Sequence, residues 1–288
     1  MLAGCLALAH GGLAASREGR ATTGLGGRDQ AAATEAQSFV TVVDTENRPV
    51  LGLGSEDFSL RDGAVRQPIV AVEPAVAPLA VAVVLDGFEA SDAPAVTQAI
   101  TQIVQHLAQA DPAHQVGGLT GAGSTRAIRP LTARDVAGYV ATRLAPGTAG
   151  APSVTDALAD GCRVLANAPS ERRAVIGLLR RRQDRLSVPT ASSLTDAMLL
   201  SKVAVWTVEL GAAGTSPIDR ALTDAATIGG ALRQTASATT LSDLAGRTAD
   251  LLVSQYLVTY MWPNPMLSQL TISLRHDRGA VLTPLWMR

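Results

Sequence analysis

Pro78-Leu-Ala-Val-Ala-Val-Val-Leu-Asp86-Gly-Phe-Glu-Ala90 decides the reading of this chain. An unbroken apolar run, rich in valine, ends on one aspartate, and a helical pattern follows. A strand buried on both faces of a parallel sheet has this composition. Its C-terminal end delivers a carboxylate to the rim where open α/β sheets bind their ligands. The pattern predicts an α/β fold: a doubly wound, mostly parallel sheet with helices on both faces.

The flanking sequence extends this core over residues 76–255. Asp92 and Pro94 are helix-start residues, and Val96, Ile100, Ile103, Val104 and Leu107 share one helical face. Residues 116–120 and 125–128 read as strands joined by Gly121-Ala-Gly123. Helices are expected over 132–144 and 153–166, the second with Val154, Leu158, Cys162 and Leu165 inward, and a Pro/Gly loop lies between them. Residues 174–179 form a second apolar strand that runs into Arg180-Arg181-Arg182, and 203–210 form a third. A helix interrupted at Gly229-Gly230 is expected over 218–236, and another over 241–255 with Leu244, Thr248, Leu251 and Leu252 inward.

Strand signals surround the core. Residues 39–43, 50–53, 58–60 and 67–72 read as strands, and Asp62-Gly63 is a hairpin turn signal. A β unit over 37–75 is too small to stand alone. Residues 256–260, 269–274 and 280–283 are strands again, with a hairpin signal at Asp277-Arg-Gly279. The expectation is that the strands of 256–288 pair with those of 37–75, so that the α/β domain is inserted into one discontinuous β unit.

Hydrophobic residues make up 47% of the 288 and charged residues 17%, which suits a well-buried domain. The net charge of −1 supplies no field for nucleic acid or an anionic membrane. Cys5 and Cys162 make neither a disulfide framework nor a zinc site, and Cys162 reads as a small core residue. Residues 1–15 resemble a secretory segment without a basic start, and 16–36 a linker. Leu2-Ala3-Gly4-Cys5 also has the form of a lipoprotein box, though close to Met1 for a full signal. The expected location is extracytoplasmic, with no transmembrane span. His106 points away from its helix's apolar face and is expected in solvent. Gly121-Ala-Gly123 lacks the lysine of a phosphate loop. No Ser/His/Asp set or paired carboxylates can be argued, so no enzyme and no cofactor are expected.

The α/β portion resembles the von Willebrand factor A (VWA) fold, and residues 38–288 resemble bacterial VWFA-related proteins. Phe39-Val-Thr-Val-Val-Asp44, Asn47-Arg-Pro-Val50, Glu56-Asp-Phe58, Asp62-Gly63 and Gln255-Tyr-Leu-Val-Thr-Tyr260 carry the likeness in the flanks. The resemblance implies a metal-ion-dependent adhesion site, at which three loops give oxygen ligands to Mg²⁺. Mg²⁺ requires near-octahedral oxygens. The first loop, Asp-x-Ser-x-Ser, reads Asp86-Gly-Phe88-Glu-Ala90 here. The second loop's threonine falls on Pro152, and the third loop's aspartate on Arg181. Asp86, Phe88, Ala90, Pro152 and Arg181 are thus the vestigial metal positions. A cation at Arg181 repels a second one: two unit charges about 4 Å apart interact by about 4 kcal/mol at an effective dielectric of 20. No metal is therefore expected; a variant site from Glu89, Ser91, Ser153 or Asp184 is the alternative.

Two readings of the arginine run compete. Arg181 or a neighbour can replace the cation and pair with Asp86, since a guanidinium satisfies a carboxylate with two hydrogen bonds. Otherwise the three arginines are a solvated loop face. The functional expectation is a protein-binding module using Asp86, Glu89, Arg180, Arg181 and Arg182, with a protein partner, an acidic segment being the complement of the arginines. The alternative is a scaffold protein acting through its β unit.

Overall fold

The computed structural model describes residues 34–121, 126–145, 153–180, 191–211, 214–262 and 270–287. Four strands come first: β1 (Thr34–Val43), β2 (Phe58–Asp62), β3 (Val65–Gln67) and β4 (Ile69–Pro74). Gly63, at φ +56°, turns the β2–β3 hairpin, in which Asp62 pairs with Val65. Two expectations change here. Residues 50–53 form no strand, only an isolated Val43–Pro49 bridge. Asp44 Oδ1 accepts from the amides of Glu46 and Arg48 at 2.8 and 2.9 Å, so these donors are satisfied in a local turn instead of a ladder. The run 67–72 divides at Pro68, which has no N–H to give a ladder.

The core follows in the order β5 (Leu79–Asp86), α1 (Ala93–Ala110), β6 (Gln115–Thr120), β7 (Ala127–Pro130), α2 (Val136–Arg143), α3 (Val154–Leu165), β8 (Arg172–Arg180), α4 (Ala191–Ser201), β9 (Ala204–Leu210), α5 (Pro217–Gly229), β10 (Arg233–Ala236) and α6 (Leu241–Val253). The six strands form one sheet, β10-β9-β8-β5-β6-β7. All neighbours are parallel except β6 and β7. Period-two alternation sends Leu79, Val81, Val83 and Leu85 to the face covered by α1, α2 and α6. Ala80, Ala82 and Val84 face α3, α4 and α5. The small residues on this second face admit α3 closely. A Cβ on Gly161 would lie 3.1 Å from Val175, and one on Gly177 2.9 Å from Leu158.

Three helical expectations change. α2 starts at Val136, because Asp135 Oδ2 accepts from Thr132 N and Oγ1 at 3.1 and 2.6 Å and holds 132–135 as a turn. α5 stops at Gly229: Gly230 takes φ +57°, the left-handed cap that ends helices, and 233–236 become edge strand β10. α4 was not expected, because its apolar face is short. It is carried by Leu194, Ala197 and Met198, all buried.

The chain closes with β11 (Tyr256–Trp262), β12 (Leu270–Leu274) and β13 (Ala280–Leu282). β11 lies between β1 and β4, and β13 pairs on the other edge of β1. β12 pairs with β2 in the sheet β12-β2-β3. The two chain ends thus build the β unit together. Residues 277–279 make no hairpin: they carry the chain from one small sheet to the other. Val40, Val42, Phe58, Leu60, Tyr256, Val258 and Tyr260 form the unit's own core. The Phe58 and Tyr256 rings meet edge-on at 5.9 Å, and Tyr256 Oη donates to Val50 O at 2.9 Å. No helix among the described residues is long and apolar enough to cross a membrane.

Candidate functional site

The C-terminal rim of the sheet is built where β5 and β8 end side by side, with Asp86 paired to Leu179 in register. Asp86 is half-buried there. Gly87 follows at φ +80°, and a Cβ on it would fall 2.1 Å from Arg180 O. Only glycine permits that turn and that approach. The turn sends Phe88 inward: it is 6% exposed and packs in the core with α1 and α2. Glu89, Ala90 and Ser91 stay on the surface. A short 3₁₀ turn, Ala90–Asp92, leads into α1, and Asp92 Oδ2 accepts from Glu89 N at 2.8 Å.

Asp92 also accepts an ion pair from Arg180 Nη1, with the side chains 14% and 35% exposed. Among the described residues Arg180 therefore meets the carboxylate of Asp92; the expected pairing of Asp86 with Arg181 or its neighbour falls on residues outside those described. The physical reason is position: Asp92 stands at the start of α1 with its carboxylate already turned toward the rim by its bond to Glu89 N. Arg181, Arg182, Pro152 and Asp184 lie outside the described residues, as does Cys5. Ser153 is the N-cap of α3: its Oγ donates to Asp156 Oδ2 at 2.8 Å and accepts from Asp156 N at 3.3 Å. Thr155 Oγ1 lies 2.9 Å from the same oxygen and is buried.

Other titratable groups are engaged structurally. Cys162 is buried and its thiol is pushed up to about 12 by burial, so it carries no thiolate near neutrality. His106 is not in open solvent: its Nδ1 lies 2.6 Å from Asp250 Oδ1, joining α1 to α6. Tyr139 Oη lies 3.2 Å from both Val83 O and Leu119 O, and burial raises it to about 12. Among the described residues no group of three or more His, Cys, Asp or Glu is placed to hold a metal ion.

Two arginines, Arg172 buried and Arg233 partly buried, escaped the sequence reading. Arg233 Nε meets Glu209 Oε1 at 2.5 Å, and its Nη2 meets Asp219. Glu209, the one charged residue in Ala204-Val-Trp-Thr-Val-Glu-Leu210, was the signal, since a buried carboxylate requires a partner. Arg172, 2% exposed, begins β8 at the opposite end of the sheet. It donates to Gln255 Oε1 at 3.3 Å, to Ala75 O and Ala77 O at 2.8 and 2.9 Å, and to Leu252 O at the end of α6. Its guanidinium also lies 5.8 Å from the Phe39 ring of β1. Arg172 thereby ties the core to β1, to the link into β5 and to the link out of α6. Burial lowers its pKa to about 10.

No family model matches the sequence, and no curated protein matches it. Solved structures are similar at low identity. Proximal thread matrix protein 1 from the mussel byssus is 15% identical, with a TM-score of 0.46, over 74% of this chain and 50% of that one. This chain thus spans half the length of the mussel protein. The VWA domain of SpRpn10 is 15% identical with a TM-score of 0.43, over 59% of this chain and 94% of that one. A von Willebrand factor type A structure from Catenulispora acidiphila is 12% identical with a TM-score of 0.44, over 88% and 72%. The strand order is the stronger ground. With its sheet order β10-β9-β8-β5-β6-β7, one antiparallel edge strand and helices on both faces, this chain has a von Willebrand factor A-like fold.

Proposed function

We propose that this chain is a non-enzymatic, exported protein-binding module that recognises an acidic segment of a partner at its C-terminal rim without a divalent ion. The observation that carries the reading is the inward turn of Phe88. An apolar side chain packed in the core stands where the adhesive members of the fold would place a hydroxyl. Ala90 offers no oxygen in its side chain either, and Asp92 is engaged by Arg180. Of the vestigial metal positions Asp86, Phe88 and Ala90, only Asp86 carries a side-chain oxygen, where Mg²⁺ requires several. Arg180 instead gives the rim a guanidinium that suits a carboxylate.

Calorimetric titration of the full chain with MgCl₂ and MnCl₂ is expected to give no saturable heat; micromolar binding overturns the metal-free reading. A bead-bound Asp/Glu-rich peptide is expected to capture the chain and to lose it on replacement of Arg180, Arg181 and Arg182 by alanine. Capture that survives this replacement favours a second reading, a scaffold acting through the β unit. Leu51, Val65 and Val70, which are 66%, 62% and 53% exposed on that unit, support the alternative.

A further inference from the structure

The cleft where β1 meets the N-terminal end of the central sheet holds about 200 Å³. Three cationic residues line it, Arg172, Arg173 and Lys202, against one acidic residue, Glu171. The volume equals about six or seven waters at roughly 30 Å³ each and falls below the range of about 300–1,000 Å³ for drug-sized ligands. It suits a small ion, and the lining sets the ion's sign.

The buried charge there is not neutralised by protein. Arg172 has no ion pair among the described residues; all its acceptors are three backbone carbonyls and the Gln255 amide oxygen. These take four of the five N–H groups of a guanidinium, leaving one on Nη2. The carbonyl of Leu252, at the negative end of α6, offsets part of the charge. Arg173 directs Nη1 to Ala166 O at 2.8 Å and leaves its Nε buried without an acceptor. Glu171 is exposed and pairs with neither arginine among the described residues.

Lys202 adds an independent observation. It follows α4 at φ +53°, a cap position that glycine fills at least cost. A lysine there accepts backbone strain that glycine would avoid, and the residue forms part of the cleft wall.

We infer that this cleft binds a small oxyanion, carried by a phosphate or a carboxylate group, between the free N–H of Arg172 and the ammonium of Lys202. The site lies at the end of the sheet opposite Asp86 and is independent of the rim. The experiment is a calorimetric titration of the full chain with sodium phosphate and, separately, sodium succinate, with sodium chloride as the control. Emission of Trp286, on the cleft wall, gives a second readout.

Saturable binding of one oxyanion is expected, and the more tightly held one identifies the head group. Lys202→Gly removes the ammonium and relieves the strained backbone, so unfolding does not explain a loss. It is expected to weaken binding about ten-fold, the equivalent of one charge-assisted hydrogen bond. Arg180→Ala, at the other end of the sheet, is expected to leave binding unchanged. The inference is overturned by no saturable signal from either oxyanion, by binding of chloride equal to both, or by full affinity in Lys202→Gly.

Discussion

At the C-terminal rim of the sheet Arg180 lies against the carboxylate of Asp92 with both side chains partly in water. At the other end Arg172 is 2% exposed and held by carbonyl oxygens alone. The same guanidinium has different work in the two places. The Arg180 side chain is 35% exposed and so stays within reach of a partner's carboxylate while it holds Asp92. A buried cation fastened to backbone carbonyls of two segments is structural, because the Ala75 and Leu252 carbonyls that it leaves would remain dry and unpaired. The rim is the accessible end and the Arg172 end is the fixed one.

Removing Arg172 is the hardest test of that contrast. Arg172→Ala is expected to lower stability by roughly 3–5 kcal/mol, since it orphans buried acceptors at Ala75 and Leu252 and a part-buried one at Ala77 together. Arg172→Lys is expected to recover little, because one ammonium cannot reach the same spread of acceptors. Urea unfolding followed by tryptophan emission measures both, and a loss under about 1 kcal/mol for Arg172→Ala would erase the distinction between the ends.

Glycine substitutions sharpen the comparison at the rim. Gly87→Ala is expected to cost about 2–4 kcal/mol, from the positive φ and the collision with Arg180 O. Gly138→Ala lies on the exposed side of α2 with nothing within 4 Å, and is expected to stabilise by about 0.5–1 kcal/mol. Equal melting shifts for the two would show that the strand ends approach less closely than described.

The smallest effect is a pH slope at the fixed end. His114 Nδ1 accepts from Leu79 N at 3.3 Å, which requires that nitrogen to be unprotonated. Burial, and then the nearby Arg172 cation, lower its pKa from 6.5, with Asp111 opposing. The unfolded chain therefore takes up the proton first as pH falls. The contribution of this group to stability is full above 6.5 and is lost as the pH drops toward the depressed folded value. His114→Gln is expected to flatten that part of the stability–pH curve by at most about one proton; an unchanged slope assigns the loss to other groups.

Much of this architecture could be read from residue order. The apolar run ending at Asp86 gave a central strand and its rim, because burial on both faces leaves no polar positions. The stripe from Val96 to Leu107 gave α1. Places where one residue outweighs the pattern were harder. Pro68 split a strand, and Gly230 turned an expected helix into a helix and a strand. Arg172, just before the expected strand, and Arg233, within an expected helix, drew no reading, because nothing local reveals the partners that each meets. The pairing of Arg180 with Asp92 depends on the path of the turn between Asp86 and Asp92, which spacing alone does not give.

The way the β unit is assembled bears on how the molecule is made. Gln37 and Thr259 face each other 222 positions apart, so β1 waits for β11 throughout synthesis. The inserted α/β core has all its strands once Ala236 has left the ribosome, and α6 completes its packing soon after. β1 through β4 meanwhile remain without their central partner, with their ladder edges open to other chains. A ribosome paused between α6 and β11 would therefore hold a folded core with an unclosed sheet, and that nascent state, not the finished protein, is where a chaperone has most to protect.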